Sequence, residues 1–411
     1  MSRATRSVLL TAIVLTVLAI PTLAADWPQF HGPTRENLSP DKGLLKQWPK
    51  GGPQLVWKFA DCGGGYAGMS IVDDRIYTCG DFDDKEFVLA LTLDGKLAWK
   101  TQNGKCWRNP HPGGRTTPTF HEGTLYHMNP HGRLAALDAK TGKEKWAVEL
   151  AKVYGAQPGR WAMAENVIIE GDTVLCSPGG EKGRVVALDK ATGKEVWVCK
   201  ETREGPAYCS PIVFTHAGVR QMVTIMAKSL ISVDVRTGKL LWTHDHETKH
   251  DQNVTMPIYR DGLLFASSGH GTGGRLLKIA ADSKSVEEVW LNKDLDNCHG
   301  GVLMLGDSLF GSGCKMFKKG LIGVDFSTGK TLWTEPAVGK VSMTFADGMV
   351  YGVDDKAKVS LLKLAAVGCK IVSQFKLPGQ TRKLSLSHPV VLNGRLYFRH
   401  WTDLFVYDVK K

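Results

Sequence analysis

An eleven-residue phrase that returns about every 45 residues constrains this chain more than any other feature. Ala136-Leu-Asp-Ala-Lys-Thr-Gly-Lys-Glu-Lys-Trp146 recurs ending at Trp197, at Trp242 and at Trp333, with worn copies ending at Trp99 and Trp290. An orphan closing aromatic stands at Trp57, and Phe375 replaces tryptophan in the last copy. A repeat of this length is one supersecondary unit that buries its apolar face only by stacking on a neighbour, and about 40–50 residues is the length of a four-stranded propeller blade. The phrase has a physical reading. Alternating apolar residues before Asp make a half-buried strand, Asp and Thr bond the turn, and Gly takes its left-handed conformation. Each closing aromatic, Trp57, Trp99, Trp146, Trp197, Trp242, Trp290, Trp333 and Phe375, is then a packing residue on an outer strand.

Three further strand-like runs precede each copy, separated by turn residues such as His121-Glu-Gly123 and Asp347-Gly348. Seven complete units of strands A to D run from about Tyr66 to Leu377. An eighth begins at His388 and ends at Asp408 without its last strand, whereas Gln54–Phe59 is a D strand with nothing ahead of it. Joining the two removes an open sheet edge. The expected fold is therefore all-β: an eight-bladed propeller of four-stranded antiparallel blades, residues 54–411, closed by an N-terminal strand. Residues 26–53, rich in Pro and Gly, are expected to form an extended arm, and deleting 26–50 is expected to be tolerated much better than deleting 26–60, which removes the closing strand.

Arg3 and Arg6, the apolar run Val8–Ile20 and the small residues through Ala25 read as a signal peptide over 1–25. No later run is long enough for a membrane span, so the expected product is exported, periplasmic or secreted, with no transmembrane segment after signal removal. The chain of 411 residues carries a net charge of +11. Much of that excess is one Lys per repeat spread around a ring, with no basic block, which argues against nucleic acid as a partner.

There are nine cysteines and no Cys-x-x-Cys. Cys298 and Cys314 flank the expected A–B turn Gly306-Asp307 symmetrically, so a hairpin folded there sets them nearly opposite each other. That predicts a disulfide, with two free buried thiols or a metal held by both together with His299 as the alternatives. His244 and His246 leave a D strand on a common face and are a weak chelating pair.

The Ala-Leu-Asp-x-x-Thr-Gly-Lys-x-x-Trp phrase resembles the tryptophan-docking motif of the pyrroloquinoline-quinone-type (PQQ-like) β-propeller repeat proteins over about residues 54–409. The lead-in Asp26–Arg35 and Gly43–Trp48 is similar to exported single-propeller members common in planctomycete-type bacteria. The resemblance implies two better understood branches. One contains quinoprotein alcohol and sugar dehydrogenases, which would bring PQQ and Ca2+. The other contains an outer-membrane assembly lipoprotein. This sequence has no Cys-Cys dipeptide of the first branch and no Cys after the leader as in the second.

In an up-and-down blade the D–A and B–C loops share one face, and variable loops are where sites gather. Eight of the 13 histidines fall there: His111, His131, His246, His250, His270, His299, His388 and His400. The ligand-binding candidates are Tyr66, Arg115, Trp161, Glu165, Tyr208, Asn253, His299, Lys315, His388 and His400, most of them at the start of a channel-lining A strand. No catalytic residue and no firm metal ligand emerges. The leading expectation is a scaffold that binds a protein or small molecule on this face. A PQQ- and calcium-dependent dehydrogenase and an outer-membrane assembly factor are the alternatives.

Overall fold

Each repeat folds into one blade of an eight-bladed β-propeller. The structure, a computed structural model, describes residues 25–202, 204–314, 320–379 and 383–411; the expected signal peptide before Ala25, Arg382 and the candidate Lys315 lie outside them. The first blade runs Ser70–Val72, Arg75–Phe82, Lys85–Thr92 and Leu97–Lys105 from axis to rim, each strand antiparallel to the next. Six more blades repeat this order. The eighth consists of Val390–Leu392, Arg395–His400 and Asp403–Asp408, and its fourth strand is Gln54–Phe59, with Gln54 opposite Asp408 and Phe59 opposite Leu404. The ring is thus closed by the N-terminal strand.

Apolar layers lie between blades rather than at one centre. Val88, Ala90, Leu125, Ala135 and Leu137 join the first blade to the second, and Leu303, Leu321, Met343 and Val350 join the sixth to the seventh. The repeat explains the seams. Asp138 Oδ1 accepts bonds from Thr141 N and Oγ1 at 2.8 and 2.7 Å, an arrangement repeated at Asp189, Asp234 and Asp325. These bonds hold the Asp138 carboxyl below its ordinary pKa, the Thr141 hydroxyl contributing most. The previous blade's tryptophan covers the turn: Trp99 Nε1 donates to Ala139 O at 3.1 Å, and a Cβ on Gly142 would come within 2.6 Å of the indole. Trp57, Trp146, Trp197, Trp290 and Trp333 donate to the next blade in the same way. Beside each of the seven tryptophans the ladder carries a register shift, which turns the indole toward the seam.

Residues 25–53 are more than a dispensable lead-in. Trp27 pairs with Ile71 of the first blade, Leu38 with Phe345 of the seventh and Leu44 with Lys410. Trp27, Leu44 and Trp48 are buried. Between these anchors a loop enters the central channel: Arg35 donates to Asn166 O and Val167 O, and His31 and Asn37 contact the His388 ring at 3.3 and 3.0 Å. Positive φ at His31, Arg35 and Asn37 folds the loop tightly enough to fit. Deleting residues 26–50 would remove three buried anchors, Trp27, Leu44 and Trp48, together with the channel plug.

Candidate functional site

The channel plug divides the axis in two. Above it, on the D–A and B–C loop face, lies a cavity of about 360 Å³; below it lies one of about 220 Å³ lined by His31, Arg35 and the A strands of the fourth to sixth blades. Phe30, stacked on His31 with ring centroids 3.8 Å apart, belongs to the upper cavity's lining.

Every blade contributes to the upper cavity through the connection before its A strand. Tyr66 comes from the first, Arg115 from the second, Trp161 and Asn166 from the third, and Tyr208 and Ser210 from the fourth. Gln252, His299, Lys340 and His388 come from the fifth to eighth. The propeller places these side chains together because each strand starts at the same height on the axis. His270 and Cys314 enter from B–C loops, and Cys298 stands beside His299.

Six of the sequence candidates therefore line one cavity: Tyr66, Arg115, Trp161, Tyr208, His299 and His388. Three do not. Glu165 turns away and accepts the Ser177 backbone N–H on both carboxylate oxygens, at 3.1 and 2.9 Å. Asn253 is fully buried, donating to Met226 O and Ala227 O and accepting from Ser268 Oγ. His400 bonds Lys383 O at 3.0 Å and is absent from the lining. The proposed His244/His246 pair also parts: His246 is buried against Ser268 Oγ, while His244 is half-buried and bonds Asp245 O. Its partner alternation ends because His246 lies beyond the strand Leu240–Asp245.

Among the lining residues that the candidate set lacks are Phe30, Asn166, Ser210, Gln252, His270 and Lys340. Lys340 immediately precedes a strand, Val341–Ala346, so the position rule that selected Arg115 would have found it. Phe30 belongs to the arm and carries no periodic signal.

Cys298 and Cys314 form a disulfide with Cα atoms 5.1 Å apart. They sit beyond the paired part of the hairpin, whose ladder begins at Val302 opposite Gly311, so the bridge spans its flared base.

The electrostatics are one-sided. Four imidazoles, His111, His270, His299 and His388, line the cavity beside the cations Arg115 and Lys340, and no described lining residue is Asp or Glu. Burial depresses His299 to about 3 and His388 to about 4, so both rings are neutral at pH 7. Arg115 donates to the carbonyls of His111, Gly113 and Trp161, with Asp81 and Glu86 behind it. Burial raises Glu86 to about 8, with the Asp81 charge adding to the rise, so its carboxyl is largely protonated at neutral pH. Tyr66, Trp161, Tyr208 and Phe30 supply aromatic faces.

Comparison with known proteins places this geometry in a family. The family model described as outer membrane protein assembly factor BamB matches residues 84–335. The quinohemoprotein alcohol dehydrogenase ADH IIB of Pseudomonas putida is 32% identical over 138 residues, which cover 31% of this chain and 19% of that protein. BamB of Burkholderia pseudomallei is 23% identical over 295 residues, covering 66% of this chain and 68% of that protein. The chain thus spans about a fifth of the length of the quinoprotein relative. Among solved structures, BamB from Moraxella catarrhalis overlays with a TM-score of 0.62 at 18% identity, covering 87% of this chain and 99% of that one. A quinohemoprotein alcohol dehydrogenase from Comamonas testosteroni overlays at 0.65 and 14% identity, covering 94% and 80%. With more than half of its length matched by that model, the chain belongs to the PQQ_2 family of PQQ-like β-propeller repeat proteins.

Proposed function

We propose that this chain is an exported binding propeller whose upper cavity holds a small ligand bearing an aromatic or other flat ring and a negative charge. The observation that carries this reading is the lining: four aromatic side chains and two cations with no carboxylate among the described residues. An aromatic-walled cavity with a few convergent polar groups is the usual form of a small-molecule site. Export rests on the leader over 1–25. Among the described residues no helix is long and apolar enough to cross a membrane.

The relatives named as quinoprotein dehydrogenases bring PQQ and Ca2+ as an alternative. Calcium takes about six to eight oxygen ligands, carboxylates foremost. The lining offers neutral oxygens at Asn166, Ser210 and Gln252 but no carboxylate, and it sets the cations Arg115 and Lys340 beside them, so this donor set does not fit calcium. No dehydrogenase step is therefore derived. Calorimetric titration of the purified chain with PQQ, with and without Ca2+, tests the point alongside dye-linked alcohol oxidation. The binding reading expects no submicromolar calcium-dependent binding and no oxidation. A stoichiometric calcium-dependent curve accompanied by turnover would replace it with the dehydrogenase. A role at the outer membrane, supported by the family model, would instead use the loop face to dock a protein.

A further inference from the structure

The Cys298–Cys314 disulfide stands in the wall of the upper cavity beside an imidazole, and its surroundings are organised for more than a crosslink. A His270 ring nitrogen and the two sulfurs all lie within 4.8 Å of one another. His270 Nε2 stands 2.5 Å from Gln252 Oε1. An amide oxygen only accepts, so Nε2 carries the proton and Nδ1 keeps its lone pair. That is the arrangement of a metal-binding histidine, which donates its other N–H to an acceptor and is fixed by it. Asp296 ties the two loops together, accepting from Cys314 N with Oδ1 and from Gly271 N with Oδ2, each at 3.0 Å. Gly269 lets the His270 loop approach: a Cβ there would come within 2.6 Å of Cys298 Sγ and 2.9 Å of Cys314 Sγ. Lys340 Nζ lies 4.0 Å from Cys314 Sγ, where its charge favours a thiolate over a thiol.

A second cluster of this kind among the described residues, the fully buried Cys79, Glu86 and His127, lacks that organisation. Asn103 Oδ1 accepts from Arg133, so its amide nitrogen donates to His127 Nδ1 and leaves the proton on Nε2, the atom that faces Glu86 and Thr116. With no lone pair directed at the cluster, His127 is not set up as a ligand.

We propose that reducing the Cys298–Cys314 disulfide converts this wall into a binding site for a thiophilic d10 cation, Zn2+ in the first instance. The ligands are the Cys298 and Cys314 thiolates and His270 Nδ1. Three protein ligands leave one tetrahedral position open, and all three residues border the cavity. The step balances with a dithiol as reductant: the S–S bond breaks, two thiols form, and the reductant closes its own disulfide. Binding then releases two thiol protons as two S–Zn bonds form. Crosslink and metal exclude each other, so the site exists only in the reduced chain. The proposal does not rest on the anionic-ligand reading, because the cation and the organic anion are assayed separately.

Cobalt(II) is the probe, since thiolate ligation gives it intense near-ultraviolet charge-transfer absorption. The full chain reduced with a phosphine is expected to develop this absorption to one equivalent of Co2+, displaced by Zn2+, and the unreduced chain to develop none. Cys298→Ser is expected to abolish it, and Gln252→Ala to weaken binding about tenfold by releasing the His270 ring. Zn2+ is also expected to protect Cys298 and Cys314 from alkylation in the reduced wild type, read by peptide mapping, which needs no variant to fold. Absence of the band in the reduced wild type, its survival in Cys298→Ser, or alkylation of both thiols unchanged by Zn2+ would each overturn the proposal.

Discussion

The ring of Phe375 lies against Gly52, where a Cβ would come within 2.6 Å of it. At five other seams the aromatic of one blade covers the glycine of the next blade's C–D turn, as Trp146 covers Gly193. The eighth blade has no continuous C–D turn, because its third strand ends at Asp408 and its fourth is Gln54–Phe59. Gly52, two residues before that strand as Gly142 is before Glu144–Glu149, supplies the missing glycine from the other end of the chain. The repeat is therefore complete in space although split in sequence.

This pairing yields a matched test. Gly51 and Gly52 have φ of +94° and +99°, but nothing lies within 4 Å of a Cβ on Gly51. Alanine at either position bears similar backbone strain, about 1–2 kcal/mol. Gly52→Ala must in addition displace Phe375, so its melting temperature is expected to fall clearly below that of Gly51→Ala. Equal melting temperatures would remove Gly52 from the ring closure.

The tryptophans separate packing from hydrogen bonding. Trp146 Nε1 donates to Lys190 O at 3.0 Å, whereas Trp242 Nε1 is buried without a partner, the following blade having lost the Thr-Gly turn. Trp146→Phe is expected to cost about 1 kcal/mol for the bond. Trp242→Phe, which removes an unsatisfied donor, is expected to be near neutral in chemical denaturation. Trp146→Ala is expected to cost about 3 kcal/mol.

Stability is expected to peak near pH 6.5. Burial lowers the folded-state values of His31, His127, His246, His299 and His388 far below 6.5, to about 3 for His127, His246 and His299. The unfolded chain then binds more protons below pH 6.5, and stability is lost as the pH falls toward 4. Burial raises Glu86 and Glu165 to about 8. The folded chain holds those protons, so stability is lost as the pH rises from about 4.5 to 8. Asp81, raised to about 6 by burial, acts in the same direction over the lower part of that window. Between 4.5 and 6.5 the five imidazoles outweigh the three carboxyls, and above 6.5 Glu86 and Glu165 act alone. Denaturant midpoints across pH 4–8.5 check this, with Glu86→Gln expected to flatten the alkaline side and to steepen the rise between pH 4.5 and 6.5.

The ring was legible because its signal is periodic: Asp, Gly and Trp recur at fixed offsets, and the missing strand at Asp408 matches the surplus one at Gln54. The face of the site was legible for the same reason, since Tyr66, Arg115 and Tyr208 hold equivalent positions, each four residues before an A strand, in the first, second and fourth blades. Which way a polar loop residue turns follows no period. Glu165 and Asn253 occupy such positions yet face inward, where backbone groups at Ser177, Met226 and Ala227 need partners. Phe30 and His31 reach the channel from an aperiodic arm, through contacts with His388 more than 350 positions away in the chain.

The charge preference of the upper cavity tests the central claim most directly. Titrating the purified chain with 2-naphthoate and with the isosteric neutral 2-naphthamide, followed by calorimetry, compares one ring with and without its negative charge. Naphthoate is expected to bind at least about tenfold more tightly, a difference of about 1.4 kcal/mol, and that preference is expected to vanish in Lys340→Gln and Arg115→Gln. Equal affinity for the two probes, or a preference for naphthoate that survives both substitutions, would contradict the account.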